Sequence, residues 1–204
     1  MSAAQLTTPR NLLDHTFYRR WVAGDLSTDE LRYYACQYAH VVSALPVWLR
    51  RAAAVTPAHA EELNRHAAEE DSHVELWHRF AYALGITGNE LTTTAPNAAT
   101  ADLLKRGNEL SGQPAGVAVA WALEVQTPAV SAEKLAGLRA HYGIERDNGG
   151  EYFELHGSLD VVHAAELDEV IAGLNADQVS AAQRIADVVV DGLWDLLTSA
   201  ERAA

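Results

Sequence analysis

The sequence predicts an all-α fold, a single helical bundle of seven or eight helices. Apolar residues recur at three- and four-residue steps along almost the whole chain. No window combines strand alternation with turn signals. Repeats and low-complexity linkers are absent, so the 204 residues read as one domain.

Leu12, Leu13, Phe17, Tyr18 and Trp21 define a first amphipathic helix that stops near Gly24. Ser27 and Glu30 have capping-box spacing, because each side chain can satisfy the other's orphan amide. A second helix therefore runs through YYACQYAHVVSALPVWLRRAAA, with Pro46 expected to kink it. Thr56-Pro57 supplies an N-cap and a first-turn proline for a third helix, which ends at Gly85. The stretch ITGNELTTTAPNAAT reads as turn chemistry, and a short helix follows over Ala98 to Leu110. Small residues dominate GVAVAWALEVQTPAVSAEKLAGLRAHYG, a closely packed central helix expected to bend at Pro128. RDNGG is a loop; a helix through His163 and a long one to about Ser199 complete the bundle.

Fifteen Lys and Arg against 28 Asp and Glu give a net charge of −13. Without a basic block, such a surface argues against nucleic acid or an anionic membrane as partner. The single cysteine, Cys36, excludes internal disulfides and cysteine-based zinc or iron–sulfur sites. The N-terminus has no signal-peptide pattern and no apolar stretch reaches about 20 residues, so a cytoplasmic protein is expected. Nine histidines stand out, as do the only two lysines, Lys105 and Lys134.

Three clusters carry the chemistry. In YFELHGSLDVVHAAE, His156, Asp160 and His163 fall within roughly 60° of arc at about 100° per residue. Two imidazoles and a carboxylate on one stripe suit Fe, Mn or Zn; a solvated polar face is the alternative. In HAAEEDSHVELWHRF, Glu70-x-x-His73 has the spacing by which dimetal carboxylate bundles take two ligands from one helix. Glu69 competes with Glu70, His66 continues the stripe as a supporting partner, and exposed helix faces also carry such patterns. The third feature is Glu124, alone among Ala, Val, Leu and Trp, where an ionised carboxylate demands a metal or an arginine. Lys134 lies about 80° round the same helix, so the two are expected to border one cavity. Glu70, His73, Glu124, His156, Asp160 and His163 together form a plausible donor set for two metal ions.

These residues resemble the haem-oxygenase-like dimetal oxidases, particularly their CADD-like branch of para-aminobenzoate synthases. The resemblance covers nearly the whole chain. DHTFYRRWVAGDLSTDELRYYACQYAH, SALPVWL, HVELWHRFAYALGIT, ALEVQTPAVSAEKLAGLRAHYG and YFELHGSLDVVH carry it. It implies a seven-helix fold without haem, whose reduced Fe2 or Fe/Mn centre activates O2 with an external reductant. In this branch the tyrosine of HTFY, here Tyr18, is the implied ring source. The lysine ten residues after the central glutamate, here Lys134, is the implied amino donor. The protein would then consume its own side chains in one turnover. Members of the fold often form homodimers, and a homodimer is expected here. Two departures from the family pattern matter. The family glutamate lies further before its histidine than EEDSH allows, and Glu70 is preferred because Glu-x-x-His occurs elsewhere in the superfamily. Tyr38-Ala39 stands where the family has a tyrosine pair.

The leading expectation is thus an O2-dependent dimetal oxidase acting on Tyr18 and Lys134. Tyr34, Tyr38, Trp21 and Tyr152 read as relay or pocket residues, or as aromatic packing. In a second reading the same centre oxidises an external small molecule, such as an amino or fatty acid. A thiaminase-like hydrolase would need a nucleophilic cysteine, and Cys36 lies on the wrong helix for it. A metal-free interaction protein would have no use for Glu124 in its core.

Overall fold

The structure, a computed structural model, describes residues 5–202. No strand occurs among the described residues, and none of their helices is long and apolar enough to cross a membrane.

The expected first helix is interrupted. A 3-10 turn, Leu12–Asp14, precedes α1 (Thr16–Ala23), and His15 between them accepts the Phe17 N–H on Nδ1 as an N-cap. Gly24 ends α1 at φ 74°, a left-handed conformation that favours glycine. Ser27 and Glu30 close the expected capping box on α2 (Thr28–Val55), and Arg20 from α1 pairs with the same glutamate. Pro46 lies within this continuous helix.

α3 (Ala60–Ala83) starts later than expected. Thr56 makes no side-chain cap, and Pro57–His59 instead form a 3-10 turn. The stretch read as turn chemistry contains α4 (Gly88–Thr93), whose capping box pairs Thr87 with Glu90. α5 (Ala98–Leu110) has the expected bounds.

The central helix is divided into α6 (Ala118–Glu124) and α7 (Thr127–Gly137). The break falls at Val125–Gln126 rather than at Pro128. Pro128 occupies the first turn of α7, where a missing N–H costs no hydrogen bond. A π-helical turn, Leu138–Tyr142, leads to the loop before α8 (Glu151–Ala172), and α9 (Ala176–Arg202) closes the bundle. With α6 and α7 counted as one broken helix, the described residues hold eight helices, within the expected seven or eight; the one not placed from periodicity is α4.

α2 packs along α3, α7 along α8, and α5 and α6 against α9, while α3 also meets α8. Trp21, Trp48 and Trp77 are fully buried in the resulting core. Amid this apolar packing lie eight ionisable side chains from α3, α6, α7 and α8: His66, Glu70, His73, Glu124, Lys134, His156, Asp160 and His163.

Candidate metal centre and the adjoining lysine chamber

All six residues predicted as metal donors converge on one buried centre. α3 contributes Glu70 and His73, α6 contributes Glu124 at its last residue, and α8 contributes His156, Asp160 and His163. His73 Nδ1 lies 3.0 Å from Glu70 Oε1, and His156 Nε2 lies 3.6 Å from Glu70 Oε2. His163 Nδ1 is 3.7 Å from Glu70 and 3.8 Å from Asp160. A seventh residue belongs to the cluster. His66, read from sequence as a supporting partner, places Nε2 3.0 Å from Glu124 Oε1. No arginine pairs with Glu124 among the described residues, so the alternative partner weighed for it is not found.

Geometry separates the two adjacent glutamates. Glu70 points into the centre, 2 % exposed. Glu69 stays at its rim, paired with Arg65, and accepts a hydrogen bond from His163 Nε2 at 3.0 Å. That bond leaves the Nδ1 lone pair of His163 aimed inward. His156 is fixed in the same manner: its Nδ1 donates to the Tyr152 carbonyl at 2.7 Å, which leaves Nε2 facing the centre.

The donors are under-satisfied. His66 Nε2, both Glu124 oxygens, His156 Nε2, Asp160 Oδ1 and His163 Nδ1 are buried without hydrogen-bond partners. Even the 3.0 Å approach of His66 to Glu124 lacks hydrogen-bond alignment. Leaving so many polar atoms dry and unpaired costs about 1–3 kcal/mol each, so the arrangement calls for a shared partner. Three sets of donor atoms, each within 4.8 Å of one another, could hold an ion: His66, Glu124 and His163; Glu70, His73 and His156; Glu70, Asp160 and His163. Imidazole and carboxylate without thiolate is a donor set that iron or manganese accepts.

Protonation follows from burial and neighbours. Burial pushes the Glu124 carboxyl well above its usual range and Asp160 up to about 9. Burial also acts on Glu70, but hydrogen bonds and charge from His156 and His73 outweigh it and hold that carboxylate low. Desolvation lowers His66 and His163, favouring the neutral imidazole that a metal requires.

Lys134 and Tyr18 occupy a second chamber. Lys134 Nζ donates to the Tyr34 hydroxyl at 2.6 Å and stands 5.0 Å from the centre of the Tyr18 ring. Further aromatic faces surround it, with Tyr34 at 4.9 Å and Tyr38 at 5.1 Å. No carboxylate approaches the amine among the described salt bridges, and burial lowers its pKa to about 7. Burial pushes the Tyr18 phenol upward, so it stays protonated. Each chamber is a cavity of about 20 Å3, room for about one water. Tyr38, Leu123, Thr127 and Tyr152 line both and form the wall between them. Glu124 and Lys134 therefore border adjoining cavities rather than one. The helical-wheel expectation assumed a continuous helix, and the break at Val125–Gln126 removes that premise.

Such a bundle with a buried imidazole–carboxylate centre has the donor set of a metal-dependent helical enzyme. The chain belongs to the iron-containing redox enzyme family, whose family model matches residues 32–194. It is accordingly an oxidoreductase. It is similar to the 4-aminobenzoate synthase of Chlamydia pneumoniae, at 30 % identity over 93 % of this chain and 89 % of that one. The 4-aminobenzoate synthase of Nitrosomonas europaea is 31 % identical, over 92 % and 85 %. Among solved structures, a TenA homologue from Pseudomonas syringae superposes with a TM-score of 0.82 at 17 % identity, covering 94 % of this chain and 87 % of that one. A protein from Shewanella denitrificans described as having a haem oxygenase-like fold gives 0.77 at 14 %, covering 94 % and 86 %. These two likenesses establish the haem-oxygenase-like fold.

Proposed function

We propose that this protein is an O2-dependent dimetal oxidase that makes 4-aminobenzoate from its own side chains, with Tyr18 as ring source and Lys134 as amino donor. Glu70, His73, Glu124, His156, Asp160 and His163 hold two ions, as iron or an iron/manganese pair. Bound there in reduced form, the ions supply electrons and a place for dioxygen to be activated.

The observation that carries this reading is the placement of Lys134. A buried amine lowered to about 7 keeps a substantial unprotonated fraction at neutral pH, and only the free lone pair can form a carbon–nitrogen bond. Its nearest aromatic neighbours include Tyr18, one wall away from the acid–histidine centre. Tyr34 holds the amine in place through its hydroxyl. Tyr38 and Tyr152 separate the chambers while leaving aromatic rings in contact across them: Tyr152 stacks on His156 at 3.9 Å, and Tyr38 stacks on Tyr34 at 5.4 Å. The 4-aminobenzoate synthase name of relatives at about 30 % identity supports the same assignment. The chamber, about 20 Å3 in this structure, leaves little free space beside Tyr18 and Lys134 for an external amino or fatty acid.

The test is intact-mass spectrometry after incubation with Fe(II), reductant and O2. Loss of side-chain mass mapping to Tyr18 and Lys134, together with released 4-aminobenzoate, is expected. Replacing Tyr18 with Phe should abolish both. A metal-loaded chain of unchanged mass, or product formation that survives Y18F, contradicts the proposal and favours an external substrate.

A further inference from the structure

α3 carries a stripe that matches the one on α8. His66-x3-Glu70-x2-His73 and His156-x3-Asp160-x2-His163 have the same spacing, so each places three donors on one helix face. The stripes meet in opposite order. The His66 ring lies 3.7 Å from that of His163, and the His73 ring lies 4.8 Å from that of His156. The carboxylates fall between the two histidine pairs, where Glu70 approaches His73, His156 and His163. The centre thus has a local two-fold arrangement, which Glu124 breaks by joining the His66 end.

We propose that His66 is itself a metal ligand, giving the centre seven donors and each ion two imidazoles. His66, His163 and Glu124 bind one ion; His73, His156 and Glu70 bind the other, and Asp160 lies beside Glu70 between them. This inference rests on the two-ion reading above and adds a donor to it. A merely supporting histidine holds a ligand through a hydrogen bond. His66 Nε2 makes none, although it is 1 % exposed and only 3.0 Å from Glu124. The same orphaned state marks the inward nitrogens of His156 and His163. A nitrogen that is dry, unpaired and aimed at a carboxylate it does not hydrogen-bond is placed as a ligand atom.

Metal stoichiometry and NMR of the full chain test this. Co(II) is added anaerobically and bound metal is counted by elemental mass spectrometry after dialysis. Four hyperfine-shifted, exchangeable imidazole N–H resonances are expected for the wild type at two ions per chain. H66A is expected to lose one of them and to retain one tight ion, with the second weakened by at least ~10-fold. A supporting role could weaken binding, but it would not give a fourth shifted resonance. Three such resonances at two ions per chain overturn the assignment of His66 and leave the two-ion reading standing. Fewer than two ions in the wild type overturns both. Because the resonance count is made on the wild type, it decides the matter even if H66A fails to fold.

Discussion

At the scale of single residues, the most consequential side chain is Lys134, a cation buried among aromatic rings with no acid partner. The unfolded chain restores the ordinary lysine pKa, whereas the fold lowers it to about 7. Unfolding therefore takes up a proton between about pH 7 and the ordinary lysine range, and the native state gains stability from this group as pH rises through that window. Below it the penalty is fully present, on the order of several kcal/mol at about 1.4 kcal/mol per unit. Replacing Lys134 with Met, similar in length and without charge, should raise the melting temperature at pH 6, with the advantage shrinking towards pH 10. Denaturation curves at both pH values check this; an advantage independent of pH would mean the amine is not desolvated. Glu124 was legible in the sequence because an acid amid small apolar residues has few explanations. His66 was visible on its stripe, but ligand and support differ only in what α8 brings opposite, and that register is absent from a local pattern.

At the scale of elements, the junction of α1 with α7 sets where Lys134 sits. Trp21 of α1 donates its indole N–H to the Lys134 carbonyl at 3.0 Å, and Gly137 lies one turn further along α7 under the same indole. A Cβ on Gly137 would stand 2.7 Å from Trp21 Cδ1 and 3.0 Å from its carbonyl oxygen. Gly137→Ala should destabilise the fold by about 1–3 kcal/mol, as overpacking does, and alter the near-ultraviolet circular dichroism of the buried indole. A variant with wild-type stability and spectrum would show that α1 can withdraw freely. Helix existence was readable from periodicity, and α5 even in its bounds. Boundaries that depend on competing short-range bonds were not. Thr56 looks like a cap yet a 3-10 turn replaces it, whereas Thr87 and Glu90 carry a capping box inside a stretch rich in turn residues. Pro128 announced an interruption between α6 and α7 but, as a first-turn proline, it sets the break at Val125–Gln126 instead of a bend at its own position.

At the scale of the whole molecule, folding, protons and metal are linked through the centre. Burial raises the Glu124 carboxyl well above its usual range and Asp160 to about 9, while His156 and His73 hold Glu70 low. Ligation needs carboxylates, so loading the centre should release protons, that of Asp160 among them, and tighten as pH rises. Calorimetric titrations in buffers of different ionisation heat measure that release; zero release would place the ions elsewhere. The enclosed space around Tyr18 also has a kinetic consequence. Leu193, Leu196 and Leu197 of α9 roof that chamber, with Leu12 beside them, and the space beneath holds about one water. On the proposed reaction, an aromatic acid formed there would lie beneath these leucines with little free space around it. If displacement of α9 limits its departure, the rate at which product reaches solvent would report local opening of that helix rather than the speed of bond making.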